Sequence, residues 1–363
     1  MSQPSIVFLL PGPGQIPVGG FRVAYEYAQG LAARGFDATV VHVAQVETLL
    51  SPRERARGLA GYIRRGVTGW RPDRWFTFRH PVRLVWRPSL SEATIPRADI
   101  YVATAWQTAE WLGRATLPWA SERLYLVQHD ETWAGPEERV RATWKTPLRK
   151  IVIAPWLQEL GRSLGESSTL IHNGLDLVRF GIDVPIDRRD GQRVAMLVHP
   201  AAWKGTEIGL QALTLAQHER RDLVALLFGT GPAPEALPDW CVYHRDPTPE
   251  QLRALYNRAS IILSPSFAEG WSLIGPEGML CGAAFVATDI GGHTAYATHE
   301  TNALLAPAGD ATGLARAIVR LSSDPELRRR LARAGQASMR SFTWDRAVSS
   351  LIDMLRAGGS GRA

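Results

Sequence analysis

The chain of 363 residues exceeds the size at which one hydrophobic core stops growing, so two domains of roughly 150 to 200 residues each are expected. With 45% hydrophobic and 21% charged residues, the composition excludes collagen-like, coiled-coil and largely disordered proteins. Two cysteines, Cys241 and Cys281, are too few for a disulfide framework and suit a reducing, cytoplasmic compartment.

The net charge of +6 is unevenly placed: residues 1–180 hold 22 Lys or Arg against 16 Asp or Glu, and residues 181–363 hold 19 against 19. Ten arginines and two acids fall within 53–87, interleaved with Trp70, Trp75, Phe76, Phe78 and Trp86. Such a stretch suits a saccharide groove, because a tryptophan face stacks on a sugar ring, or a peripheral contact with an anionic membrane. Trp70, Trp75 and Trp86 are accordingly the candidate acceptor residues. Tryptophan and arginine here follow no RNA-recognition or helix-turn-helix pattern, so no nucleic-acid partner is expected.

In chain order, the apolar run Ile6–Leu10 is far short of the ~20 residues that span a bilayer and has no charged leader before it, so it reads as a first buried strand. A Gly/Pro loop, 12–20, follows. Phe21–Arg34 then reads as a helix stopped by Gly35, and Ala38–Val43 as a second strand. Runs at Ile100–Ala103, Leu124–Val127 and Ile151–Ile153 continue a strand–helix alternation that argues for a doubly wound parallel sheet, with 51–98 fitting least well. After the polar, proline-containing segment 181–192 the alternation restarts, with strands at Val194–Val198, Leu223–Phe228, Trp240–His244, Ile261–Leu263 and Ala284–Ala287. The expected domains are 1–180 and 193–343, joined by a 181–192 linker. Trp344–Leu355 spaces Val348, Leu351, Ile352 and Leu355 along one stripe and needs a surface to cover.

In open α/β sheets, ligands bind beyond the carboxyl ends of strands. The loop after the first strand carries Gly12, Gly14, Gly19 and Gly20. It matches neither Gly-x-Gly-x-x-Gly nor the P-loop, and its glycines serve either a tight turn or close approach of a phosphate to a helix N-terminus. A sharper signal is Ser264-Pro-Ser-Phe-Ala-Glu269-Gly-Trp-Ser-Leu-Ile-Gly-Pro-Glu277, two carboxylates around a strand-to-helix turn. Pro276 is expected at the first helical position, which puts Glu277 in the first turn, where the macrodipole favours a carboxylate. A glycosidase pair fits poorly, because such carboxylates lie ~5 to 9.5 Å apart across the bond, whereas eight residues of helix cover ~12 Å and this pair straddles a turn.

The Glu269–Glu277 spacing resembles the Glu-x7-Glu motif of glycosyltransferase family 4. Gly282, Thr288-Asp289, Gly291-Gly292 and Asn302–Leu305 continue that pattern; Asn173-Gly174 with Phe180, Trp203-Lys204-Gly205 and Phe342-Thr-Trp344 are similar to its other landmarks. The resemblance covers roughly 5–357 and implies the GT-B architecture: two Rossmann-like domains facing a cleft, the helix 344–357 crossing back to the N-terminal one, and closure about a hinge near 181–192. The implied activity is retaining transfer of a hexose, with mannose from GDP-mannose favoured, from a nucleotide sugar to a saccharide or glycolipid. Rhamnosyl or glucosyl transfer from dTDP-, UDP- or ADP-sugars, a sugar-nucleotide 2-epimerase and a glycan-binding module with a decayed donor site are the alternatives.

Residue by residue, the resemblance implies that Glu269 holds donor-sugar hydroxyls, that backbone N–H groups near Gly270, Trp271, Ser272 and Leu273 lie by the sugar and diphosphate, and that Glu277 binds the ribose. It further implies that Lys204 pairs with the diphosphate, that Gly19 and Gly20 pass beneath it, that His129 is the active-site histidine, and that the base lies near Val242 and His244. No tightly bound cofactor is implied, and no Asp-x-Asp pair requires a metal. His172 and His199 read as structural. One departure stands out: His199-Pro200 occupies the place of the family's Gly-Arg, so the second phosphate-binding cation is missing.

Overall fold

A computed structural model describes residues 3–46, 51–235 and 237–359. The chain divides into two units, 1–173 with 344–363, and 174–343.

The first unit is a seven-stranded sheet: β1 (Ser5–Pro11), β2 (Asp37–Gln45), β3 (Arg83–Ser89), β4 (Ile100–Ala103), β5 (Glu122–Val127), β6 (Arg149–Val152) and β7 (Ser168–Leu170), in spatial order β3-β2-β1-β4-β5-β6-β7. Every pairing is parallel. A parallel sheet is covered on both faces, which is why Ile6–Leu10 of β1 is buried without alternation. Among the described residues, the α-helices that connect the strands are α1 (Gly19–Ala32), α2 (Pro52–Val67), α3 (Trp106–Arg114), α4 (Glu137–Ala142) and α5 (Pro155–Ser163).

The second unit repeats the plan with six parallel strands, β8 (Arg193–Leu197), β9 (Val224–Gly229), β10 (Cys241–Arg245), β11 (Ile261–Ser264), β12 (Ala284–Thr288) and β13 (Ala303–Ala306), ordered β10-β9-β8-β11-β12-β13. Its helices are α6 (Thr206–Glu219), α7 (Pro249–Arg258), α8 (Ile274–Leu280), α9 (Gly291–Thr294), α10 (Ala311–Ser323) and α11 (Pro325–Met339). Both units thus have a switch point, between β1 and β4 in one and between β8 and β11 in the other, where successive connections leave in opposite directions and open a crevice at the carboxyl edge.

Helix α8 opens at Ile274, not at Pro276, so the proline is third in the helix. The first four helical N–H groups have no intrahelical acceptor, and a proline in that turn forfeits no bond. The final helix, α12 (Trp344–Gly359), belongs to the first unit. Its Val348 lies against Gly30 of α1, where an added Cβ would stand 2.6 Å from a valine methyl. Tyr27 meets Trp344 edge-on, and Arg34 pairs with Asp345. Residues 181–192 are bonded within the second unit: Asn257 Oδ1 accepts from the amides of Asp183 and Val184, and buried Arg189 donates to the carbonyls of Val184 and Ala259.

Candidate functional site

In the second unit, the segments after β8 and β11 meet at the switch point. The turn after β8 is closed by Thr206, whose hydroxyl donates to the His199 carbonyl and accepts from the His199 amide. A single 3-10 turn, Ala202–Lys204, follows and ends at Gly205 in the left-handed region (φ +65°). Glycine is required there twice over, since a Cβ would also stand 2.1 Å from the Pro265 carbonyl oxygen. This close approach seats the lysine turn on the loop after β11. Lys204 Nζ donates to both carboxylate oxygens of Glu269, at 2.8 and 2.9 Å.

Glu269 is further fixed by the Ser266 hydroxyl at 2.8 Å and by Gly292, where a Cβ would come within 2.4 Å of the glutamate Cβ. Its side chain is 10% exposed and that of Lys204 is 23% exposed. A carboxylate and an ammonium withdrawn this far from water hold one another in place. Directly behind lies His293, fully buried, with Nε2 2.9 Å from the Ser264 hydroxyl and Nδ1 2.8 Å from the Thr288 carbonyl. Burial holds its pKa below the ordinary imidazole range against the pull of Glu269, so it is neutral. The Thr288 carbonyl accepts the Nδ1 proton, leaving Nε2 to accept from Ser264. His199, lowered likewise by burial and then by Lys204, accepts the Ala201 amide on Nδ1. Sequence reasoning missed Ser266 and His293. Their positions, three residues before Glu269 and directly after Gly291-Gly292, are the signal that was available.

Apart from Gly19 and Gly20, which belong to the first unit, the other donor candidates lie in the same unit. Glu277 is buried in the first turn of α8, with the Tyr256 hydroxyl 3.5 Å from its Oε2. Trp271 is buried against Tyr296 and Phe342, Gly270 and Ser272 are buried, and Leu273 immediately precedes α8. Val242 and His244 share one face of the edge strand β10, and His244 lines a cavity of about 390 Å³ with Tyr243, Arg245, Leu255 and Arg258. Burial lowers the His244 pKa, with Arg258 adding to it, and its Nε2 has no bonding partner among the described residues.

In the first unit, the glycines divide by role. Gly12 and Gly14 have φ of +78° and +66°, and a Cβ on Gly14 would strike the His42 ring at 2.3 Å, so these two make the turn. Three consecutive carbonyls of that turn are bonded by side chains: Gly12 by His42 Nδ1 at 3.0 Å, Pro13 by Trp70 Nε1 at 2.8 Å, and Gly14 by Trp75 Nε1 at 2.8 Å. His42 is buried, and this lowers its pKa to about 4; its Nε2 accepts from the Tyr25 hydroxyl at 2.7 Å. Gly19 and Gly20 open α1, and Gln128 Nε2 donates to the Gly20 carbonyl. Trp70 and Trp75 therefore anchor the glycine turn; Trp75 stacks on Tyr25 at 5.5 Å, Trp70 on Trp86 at 5.3 Å, and Trp86 on Tyr62 at 5.6 Å.

His129, after β5, has Nδ1 2.9 Å from the Asp130 carbonyl and a buried Nε2 with no hydrogen-bond partner among the described residues, and its ring is flanked edge-on by Trp133 and Trp156. Beside it is an acid that sequence reasoning passed over. Glu131 Oε2 accepts the amide of Trp106, the first residue of α3, at 2.6 Å, and burial pushes its carboxyl up to about 7. Among the described residues, no group of three or more His, Cys, Asp or Glu is placed to hold a metal ion.

Residues 193–324, which span β8 through α10 and carry Lys204, Glu269 and Glu277, match the family model described as "Glycosyl transferases group 1". D-inositol 3-phosphate glycosyltransferase of Salinispora tropica is 36% identical over 107 residues, 30% of this chain and 22% of that protein. Its counterpart in Acidothermus cellulolyticus is 26% identical over 295 residues, 76% of this chain and 60% of that protein. The chain thus spans less than two thirds of the length of these curated relatives. Among solved structures, sucrose-phosphate synthase of Thermosynechococcus elongatus superposes with a TM-score of 0.72 at 17% identity, covering 99% of this chain and 100% of that one. Anabaena HepE, solved in complex with UDP-glucose, gives 0.73 at 17% identity, covering 97% and 99%. Two parallel-sheet α/β units with these likenesses define a GT-B protein. Within that fold, residues 193–324 are similar to the group 1 glycosyltransferases.

Proposed function

We propose that the protein is a retaining glycosyltransferase that moves a hexosyl group from a nucleoside-diphosphate sugar to a saccharide or glycolipid acceptor. The observation that carries this reading is the Lys204–Glu269 pair at the carboxyl edge of β8 and β11, inside the segment that matches the family. A departing nucleoside diphosphate gains negative charge as the glycosidic bond breaks, and a preformed cation stabilises that state without reorganising. Glu269 orients the ammonium before the donor arrives. In the loaded site the diphosphate takes Lys204, the sugar hydroxyls take Glu269, and Glu277 takes the ribose. Val242 and His244 serve the base; His129 and the Gly19-Gly20 turn are the groups assigned to the reaction in the first unit.

Mannosyl transfer from GDP-mannose is the sequence expectation, whereas the similar Anabaena HepE was solved with UDP-glucose. A thermal-shift panel of GDP, UDP, ADP and dTDP with their sugars separates these, because a ligand at ~100 times its dissociation constant adds about 2.7 kcal/mol. Anomer-resolved NMR of the product then tests retention, and an inverted anomer rejects it. Peripheral contact with an anionic membrane through 53–87, at the inner membrane face, completes the reading. In the first unit, Trp70 and Trp75 support the glycine turn and Trp86 bonds the Tyr62 carbonyl, which leaves the contact to the exposed residues around them.

A further inference from the structure

Helix α2 is built unlike the other helices of the first unit. Its start is well specified: Ser51 accepts from the Glu54 amide while Glu54 bonds back to the Ser51 amide, a reciprocal cap, and Pro52 opens the helix. None of its 16 residues is buried. It is held at the carboxyl edge of the sheet by polar and stacking contacts, the bond from Trp86 Nε1 to the Tyr62 carbonyl among them. At its start Gln45 Nε2 donates to the carbonyls of Glu54 and Arg55; midway Tyr62 stacks on Trp86; near its end Arg65 Nε donates to Gln15 Oε1 in the glycine loop.

The opposite side of α2 carries Leu59, Ile63 and Val67, four residues apart and therefore on one face, exposed by 49%, 54% and 83%. At 100° per residue, Arg55 borders this stripe on one side, and Arg53, Arg57 and Arg64 on the other; all four are exposed. The loop that Arg65 grips adds Ile16, 69% exposed, and Val18, 39% exposed. Monomeric surfaces rarely leave an ordered apolar row uncovered. A stripe fenced by arginines on both sides matches one environment in particular, the boundary of an anionic bilayer, where apolar side chains enter the acyl region and guanidinium groups stay among phosphates.

We infer that α2 is an in-plane membrane anchor, inserting Leu59, Ile63 and Val67 into an anionic bilayer with Arg53, Arg55, Arg57 and Arg64 on the headgroup phosphates. This deepens, and rests on, the peripheral-membrane part of the proposed function. It also gives the glycine turn a place: Arg65–Gln15 and Trp70–Pro13 tie the anchor to the loop that opens α1, so an acceptor held in the same bilayer is presented close to Gly19-Gly20.

The test is co-sedimentation of the full chain with vesicles of equal parts phosphatidylcholine and phosphatidylglycerol, and with phosphatidylcholine alone. The wild type is expected to sediment with the mixed vesicles only. The variant Leu59→Ser/Ile63→Ser/Val67→Ser is expected to lose binding by about tenfold or more at unchanged melting temperature. Arg53→Gln/Arg57→Gln/Arg64→Gln is expected to weaken it and flatten its salt dependence. Failure of the wild type to bind either vesicle overturns the inference. So does equal binding by the serine variant, which would leave a purely electrostatic contact through 53–87. A lipid-free dimer that the serine variant converts to monomer assigns the face to a second copy and overturns it too. Nucleoside-diphosphate binding, read separately on the same samples, keeps the glycosyltransferase reading distinguishable from this one.

Discussion

The two parallel sheets share one winding plan yet finish their switch points differently. In the second unit the crevice edge carries opposite charges, Lys204 and Glu269, in direct contact and backed by a neutral histidine. In the first it is finished with aromatic rings and neutral hydrogen bonds that fix three successive carbonyls of a glycine turn. A sheet with this winding guarantees a crevice and says nothing of its chemistry. A charged edge suits binding a phosphorylated donor, and a rigid neutral edge suits shaping a surface.

The largest effect is expected at the charged edge. Lys204→Ala removes the one cation the proposal places on the leaving group, so turnover should fall on the order of 10² to 10³, read as initial rate at saturating acceptor. A loss of less than tenfold would mean that the diphosphate is neutralised elsewhere. Next come the glycines that let the two segments touch. Gly205→Ala drives a Cβ onto the Pro265 carbonyl and Gly292→Ala drives one onto Glu269, each expected to cost roughly 1 to 3 kcal/mol in urea unfolding. Wild-type stability for both would deny the tight seating described above.

At the neutral edge the expected effect is on pH dependence. Folding lowers the His42 pKa from 6.5 to about 4, so between those values the unfolded chain binds the proton that the folded chain refuses. Stability is therefore full above pH 6.5 and falls as pH drops toward 4, by roughly 3 kcal/mol at most. Glu131 has the opposite sign: its carboxyl rises from 4.5 to about 7, so its contribution declines as pH rises through that window. Unfolding curves of His42→Gln and Glu131→Gln should each lose the corresponding slope; parallel pH profiles for variant and wild type would remove the titration argument. The smallest effect is at α2, where Ser51→Ala deletes the reciprocal cap and should cost about 1 kcal/mol, visible as faster amide exchange at the start of the helix.

Much of the fold was legible because buried parallel strands write themselves as unbroken apolar runs: Ile100–Ala103 is β4 as read, and β8, β9, β10, β11 and β12 fall within a residue or so of their expected limits. The elements that escaped lie at sheet edges or outside the core. β3 sets arginines among its apolar residues, β7 is three residues long, and α2 turns its apolar stripe outward, where periodicity has no core to report. At the site, Glu269 and Glu277 were visible as a spaced pair, and Lys204 by resemblance. Contact between Lys204 and Glu269, 65 residues apart, depends on two close backbone approaches that no spacing encodes. The tryptophans at 70, 75 and 86 read as a sugar platform from composition, whereas their indole N–H groups hold Pro13, Gly14 and Tyr62 carbonyls.

The most direct test of the account is calorimetric titration of the wild type, Lys204→Ala and Glu269→Gln with UDP, GDP and the corresponding sugars. One nucleoside diphosphate is expected to bind the wild type, Lys204→Ala to lose most of that affinity, and Glu269→Gln to keep the diphosphate while losing the added affinity of the sugar. Equal binding of the diphosphate by wild type and Lys204→Ala, or no binding by the wild type of any member of the series, would contradict it.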